Sequence, residues 1–180
     1  MDRPLRADAR RNRARVLAAA QEAFATEGLA VPLDEIARRA GVGAGTVYRH
    51  FPTKEALFEA VVADRLTRLA ADARTALADE DPGAAFYGFL TVLLADAQRK
   101  KDLADALGEA ELGTATLAVA AELQEELGRL LARAQQAGAV RADIGTADLH
   151  AITFGAMAAE GRGTGDGRLT AIILDCLRPR

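Results

Sequence analysis

The chain has 180 residues, half of them hydrophobic, with 23 basic and 26 acidic side chains, enough to bury one substantial core or two small ones. No apolar run reaches the roughly 18 residues of a membrane span, and none follows the N-terminal arginines as a signal peptide would, so a cytoplasmic protein is expected. The net charge of −3 speaks against a nucleic-acid partner only until the chain is divided: residues 1–54 hold ten Lys and Arg against six Asp and Glu, residues 55–180 hold 13 against 20, and the positive charge is concentrated at one end.

Abundant alanine, aromatics at only 4% and no tryptophan favour close-packed helices over a sheet. Residues 1–8, with Pro4, read as a flexible arm. Arg3, Arg6, Arg10, Arg11, Arg13 and Arg15 cluster at the entrance to the first helix and suit phosphate or minor-groove contact, or simply a solvated helix end. That helix runs to about Glu27 with Leu17, Ala20 and Phe24 on its core face, and Gly28 ends it. A second helix opens with Pro32 at its first position and Asp34 and Glu35 in its first turn, where the acids suit the positive end of the dipole. Leu33, Ile36, Ala37 and Ala40 share one face, and Gly41 can take the positive φ that ends a helix sharply.

Beyond that turn, Val47 and Phe51, four apart, form a second short apolar stripe, which leaves Thr46, Arg49 and His50 facing outward and Tyr48 at the margin. Two short helices joined in this way are the pattern of a helix-turn-helix, whose second helix enters the DNA major groove. Pro52 breaks the chain, Thr53 caps the fourth helix, and Lys54 projects beside its N-terminus, a combination that suits a phosphate. The fourth helix, 54–77, carries Leu57, Phe58, Val61, Val62, Leu66 and Leu69 and links the two ends of the molecule.

Residues 79–83 break the pattern. Helices are then expected over 84–101, 102–108, 117–137, from 145 or 146 through Ala158, and 168–177, with 111–116 loop-like, a turn at 138–143 and a glycine-rich closure at 161–167. Phe86, Phe89, Leu90, Leu93, Phe154 and Met157 could line an apolar ligand cavity with Tyr87 and His150 as polar anchors, although such spacing is equally what a bundle core needs. The lone Cys176 excludes an intrachain disulfide and is expected as a buried small hydrophobe. His150 has no cysteine or histidine partner nearby, so no metal site is expected. GVGAG at 41–45 lacks both the preceding strand and the GK[ST] ending of a phosphate loop, so neither a cofactor nor enzyme activity is expected.

Phe24 through Gly28, Ile36-Ala37, Ala40-Gly41-Val42, Gly45-Thr46-Val47-Tyr48, Phe51-Pro52 and Lys54-Glu55-Ala56-Leu57 together resemble the N-terminal domain of TetR-family transcriptional regulators, over about residues 10–60. Pro32 and Gly43 depart from it where the family usually has Ser or Thr. The resemblance implies an all-α protein of about nine helices: a helix-turn-helix domain with its arm over 1–54 and a helical ligand-binding and dimerisation bundle over 55–180. It implies DNA contact by Ala44, Gly45, Thr46, Tyr48, Arg49, His50 and Lys54. It also implies a homodimer in which Ala151, Gly155 and Ala158 permit close approach and Leu169, Ile172, Ile173, Cys176 and Leu177 supply apolar area. The partners implied are a near-palindromic double-stranded DNA operator, a second copy of the chain and a small-molecule effector. The competing reading is a helical protein-interaction module in which DNA binding is secondary or lost.

Overall fold

A computed structural model describes the backbone of residues 3–98, 113–160 and 168–179, with the side chains of 8–95, 113–153, 155 and 168–179. These residues form eight α-helices: α1 Arg3–Glu27, α2 Leu33–Ala40, α3 Ala44–His50, α4 Lys54–Ala76, α5 Pro82–Gln98, α6 Thr114–Gln136, α7 Thr146–Glu160 and α8 Arg168–Cys176. A single 3-10 turn, Gly28–Ala30, joins α1 to α2, and the described residues contain no strand. The all-α reading is therefore met. The expected short helix over 102–108 and the glycine-rich closure at 161–167 lie outside the described residues.

Four boundaries differ from the sequence expectation, three of them for a local reason. The supposed arm is helical from Arg3 onward, since Arg, Leu and Ala are strong helix formers and Pro4 falls in the first turn, where its missing N–H is harmless. Pro32 stands at the N-cap of α2 and not at its first helical position: its ψ of 148° is extended, and its carbonyl accepts from the N–H groups of Glu35 and Ile36, both at 3.2 Å. Pro82 and Gly83 already belong to α5, because the Asp81 carboxylate caps it, accepting from the N–H groups of Gly83 at 2.9 Å and Ala84 at 3.0 Å. Finally, α6 starts at Thr114 within the supposed loop, for a reason that lies 54 residues away on α4.

Burial divides the helices between two cores. In the first, Val16, Leu17, Ala20, Ala23 and Phe24 of α1 meet Ile36 of α2, Val47 of α3 and Leu57, Phe58, Val61 and Val62 of α4. The Phe24 and Phe58 rings meet edge to face with centroids 6.0 Å apart. The second core gathers Leu69, Ala70 and Ala73 of α4 with Phe86, Phe89 and Leu90 of α5, Leu127, Leu130 and Leu131 of α6, Leu149 of α7, and Ile173 with Leu177 at the end of the chain. Leu66 packs against both. One unbroken helix thus contributes its first turns to one core and its later turns to the other.

Beside it, α6 runs in the same direction and is tied along its length. Arg133 donates to the last carbonyls of α4 and the loop beyond, Leu77 O at 2.8 Å and Asp79 O at 2.6 Å. Nearer the middle, Arg74 pairs with Glu122 and, at 3.2 Å, with the buried Glu126, which Arg129 also reaches at 3.1 Å. A carboxylate this deeply buried is tolerable because two guanidinium groups meet it.

Candidate nucleic-acid interface

The turn between α2 and α3 is set by backbone chemistry. Gly41 takes φ +61°, its N–H donates to Arg38 O and the N–H of Val42 donates to Ala37 O, both at 3.1 Å. This is the doubled closure that a left-handed glycine permits at a helix end. Arg15 of α1 clamps the same turn, its Nη2 donating to Gly41 O at 2.9 Å. The α2 charge pattern adds to this: Glu35 accepts from Arg38 at 2.8 Å and from Arg39 at 2.7 Å, and Arg39 also pairs with Glu27 at the end of α1.

Those guanidinium bonds, Arg38 first and Arg39 second, hold the Glu35 carboxyl down to about 2 from an ordinary 4.5. Folding therefore gains from this group above about pH 4.5 and loses the gain as the pH falls towards 2. Thermal melts across that window should show a shallower acid destabilisation in Glu35→Gln than in the wild type. Identical slopes would mean that the carboxylate is equally well paired in the unfolded chain.

Only Val47 of α3 is fully buried, with Phe51 just beyond the helix, and these two hold the seven-residue segment against α1 and α2. Ala44, Gly45, Tyr48, Arg49 and His50 are exposed and Thr46 is partly so. Tyr48, 47% exposed, is one of the large apolar side chains that the fold leaves in solvent. Arg49 lies back along its own helix, its Nε donating to Gly45 O at 3.0 Å and its Nη2 to Thr46 Oγ1 at 3.3 Å. The His50 and Phe51 rings are 6.2 Å apart, and the Arg13 guanidinium stands 5.6 Å over the Phe51 ring. Part of the arginine cluster of α1 is thereby brought to the end of α3, and the exposed groups here suit phosphates and base edges.

Gly45 has a different kind of significance. A Cβ built there meets no atom within 4 Å, and its φ is not positive. Nothing among the described residues requires a glycine at this point, although glycine inside a helix costs about 0.5–1 kcal/mol relative to alanine. The absence of a side chain here suits the close approach of something outside the fold.

Lys54 is placed otherwise than its sequence position suggests. Its Nζ donates to Leu29 O at 2.8 Å and lies 3.5 Å from Ala30 O, pinning the 3-10 turn to the start of α4. An ammonium group has three donors, so a phosphate could still be met by the third. Thr53 caps α4 as expected, its Oγ1 accepting from the Ala56 N–H at 3.1 Å.

The expected ligand-cavity residues do not all converge. Phe86, Phe89 and Leu90 are buried in the second core with Leu93 packed against it. Tyr87 donates its hydroxyl to Ala139 O at 3.2 Å, and Arg178 covers its ring at 5.6 Å. Burial raises the Tyr87 phenol above its usual range while the nearby Arg178 opposes the shift. His150 is exposed on α7, its Nδ1 3.5 Å from Gln124 Nε2. A groove between α4 and α5 is lined by Asp72, Thr75, Ala76, Asp79, Gly88, Phe89 and Val92. The side chains of Phe154 and Met157 lie outside the described residues.

The expected dimer face splits in two. Ile173 and Leu177 are spent inside the protomer, while Ile172, Cys176, Ala151 and Gly155 are exposed and Leu169 is partly buried. Cys176 is thus not the buried small hydrophobe expected of it: α8 turns Ile173 and Leu177 inward, and residue 176 falls with Ile172 on the opposite side. The Ala158 side chain lies outside the described residues. Among the described residues no group of His, Cys, Asp and Glu could hold a metal ion, and no helix is long and apolar enough to cross a membrane.

Three contacts of this site escaped the sequence: Arg13 over Phe51, Arg15 on the Gly41 carbonyl, and Lys54 on Leu29 and Ala30. Each joins residues 24 or more apart, beyond the reach of any local pattern.

Comparison with known proteins agrees with this geometry. Residues 16–61 match the family described as bacterial regulatory proteins, tetR family, and residues 81–179 match the C-terminal domain described as transcriptional regulator SbtR-like. A TetR transcription regulatory protein from Mycobacterium vanbaalenii is 50% identical and superposes with a TM-score of 0.78 over 97% of this chain and 99% of its own. The TetR transcriptional regulator SCO0520 from Streptomyces coelicolor is 35% identical, with a TM-score of 0.76 over 93% of this chain and 98% of its own. The uncharacterized HTH-type transcriptional regulator TtgW of Pseudomonas putida is 44% identical over 66 residues, 36% of this chain. That match spans about half the length of TtgW, 49%.

Proposed function

The chain belongs to the TetR family of bacterial transcriptional regulators, and we propose that it works as a homodimeric repressor, held on a near-palindromic operator until a small molecule releases it. DNA-binding transcriptional regulation is the family's activity, and the family is one of regulators and not of enzymes. The observation that carries the reading is the outward face of α3: Gly45, Tyr48, Arg49 and His50 stand exposed while Val47 and Phe51 hold the helix down. Thr46 and Tyr48 offer a hydroxyl, a methyl and a flat ring to base edges, and His50, Lys54 and the α1 arginines serve the phosphates.

One such short helix is a small anchor, and two presented about one DNA turn apart, roughly 34 Å, make a specific one. The exposed pairs Ala151 with Gly155 and Ile172 with Cys176, each four apart, give α7 and α8 faces that a second copy can cover. The effector binds in the C-terminal bundle around Phe86, Phe89 and Leu90 and favours a spacing of the heads that no longer fits the operator. Repression of this kind is exercised in the cytoplasm.

Selection of duplexes from a random pool, followed by a salt titration, tests the reading. The expected winner is a near-palindrome bound with a steep negative salt slope, about −0.9 for each phosphate neutralised. In parallel, Ile172→Glu should give monomers that keep their helix content and lose at least about tenfold in operator affinity, roughly 1.4 kcal/mol. A single unrepeated half-site among the winners, or an Ile172→Glu variant that remains dimeric and binds like the wild type, would overturn the dimeric model.

A further inference from the structure

We propose that Glu59 is the positioning residue that fixes the DNA-binding head relative to the C-terminal bundle, by capping the N-terminus of α6 from a neighbouring helix; this rests on the regulator reading above. Glu59 lies on the first turns of α4, between Phe58 and Val61 of the head's core. Its Oε1 accepts from the backbone N–H of Gly113 at 2.9 Å and from Thr116 Oγ1 at 3.0 Å. Thr116 is buried, so its hydroxyl has no water to fall back on if the carboxylate leaves.

Two features make this more than an incidental contact. The N-terminus of a helix carries unpaired N–H groups and the positive end of the dipole, and Gly113 supplies no capping side chain of its own. The capping group therefore comes from Glu59. The fit also depends on the glycine: a Cβ at residue 113 would stand 2.3 Å from Glu59 Oε1, too close for both to keep their places.

Position gives the contact its consequence. The ties at Arg74 and Arg133 join α4 to α6 beyond Leu66, where both helices belong to the second core. The tie at Glu59 lies on the other side of Leu66, where α4 belongs to the head. With the 1.5 Å rise of a helix, residues 59 and 77 are roughly 27 Å apart, so α4 and α6 are held at both ends of a long lever. A shift of the start of α6 is passed to the head directly, and freeing that end lets the angle between head and bundle vary. Glu59 thus acts on DNA binding through the spacing of the two heads, not by touching the operator.

The test compares Glu59→Ala and Glu59→Gln with the wild type by hydrogen exchange of the 113–118 segment and by affinity for operators whose half-sites are moved one base pair apart or together. The glutamine keeps an Oε1 acceptor and should behave like the wild type within about threefold. The alanine should raise exchange at the start of α6 by tenfold or more, and should bind the respaced operators within tenfold of the original. If Glu59→Ala does not fold, Thr116→Val removes one of the two donors and should move both readouts in the same direction by a smaller factor.

Unchanged exchange, or raised exchange with spacing discrimination intact, overturns the proposal, as does loss of discrimination in alanine and glutamine alike. A wild-type protein that enriches no duplex at all would defeat the regulator reading instead. Exchange alone then judges the cap, and unchanged protection in Glu59→Ala overturns it.

Discussion

Phe24→Ala is expected to destabilise the head by about 3–5 kcal/mol, the usual range for emptying a buried phenylalanine site. The ring is 1% exposed and sits where α1, α2 and α4 converge. Its edge-to-face contact with Phe58 at 6.0 Å adds an orientation-dependent component that no aliphatic replacement restores. Against a typical total of about 5–15 kcal/mol for a domain, such a loss is large. Because the second core shares no buried residue with the first, the variant should lose operator binding and melt early in part of its helix signal while still forming dimers. Phe86→Ala is the matched comparison: that ring is equally buried in the other core, so its loss should fall first on assembly. A single cooperative melt in which either substitution abolishes dimer and DNA binding together would show the two cores to be one folding unit.

The second large effect has opposite signs in two assays. Gly45→Ala should raise the stability of the free protein by about 0.5–1 kcal/mol, since the residue is helical, its φ is ordinary and the new methyl meets no atom within 4 Å. The same methyl should lower operator affinity about tenfold or more, about 1.4 kcal/mol, by holding the helix away from the groove floor. A melting curve and a binding isotherm on one preparation decide the matter. If affinity is kept while stability rises, Gly45 is an ordinary weak position and the close approach to DNA occurs elsewhere along α3. If stability falls, the residue has a structural role that its surroundings do not reveal.

Much of the local fold of α2, its turn and α3 is legible in the sequence because its determinants are local. The face of Leu33, Ile36, Ala37 and Ala40, the left-handed Gly41, and the Val47–Phe51 stripe are fixed by periodicity and by what glycine alone can do, and all four residues of that face are buried as expected. The contacts that orient charge were hidden. Lys54 reads as a phosphate ligand because a lysine beside a helix N-terminus suits one, yet it holds carbonyls of Leu29 and Ala30, which fold next to it only when α1 and α4 pack. The start of α6 is not legible locally, because its cap is Glu59, 54 residues earlier. For α8, adjacent isoleucines at 172 and 173 gave two equally apolar faces, and only packing against the second core turned Ile173 in and left Cys176 out.

The shared helix α4 also bears on how such regulators can be recombined. A graft of the head onto another bundle, cut at the break around Pro52, would leave Leu57, Phe58, Val61 and Val62 behind and open the core that holds α3. A cut after Val62 carries the whole core across, but it passes through the middle of a continuous helix where no loop marks the place. Exchange of specificity between relatives is therefore cleanest at a seam inside α4, and the register of that helix sets the angle at which the transplanted head meets its new partner.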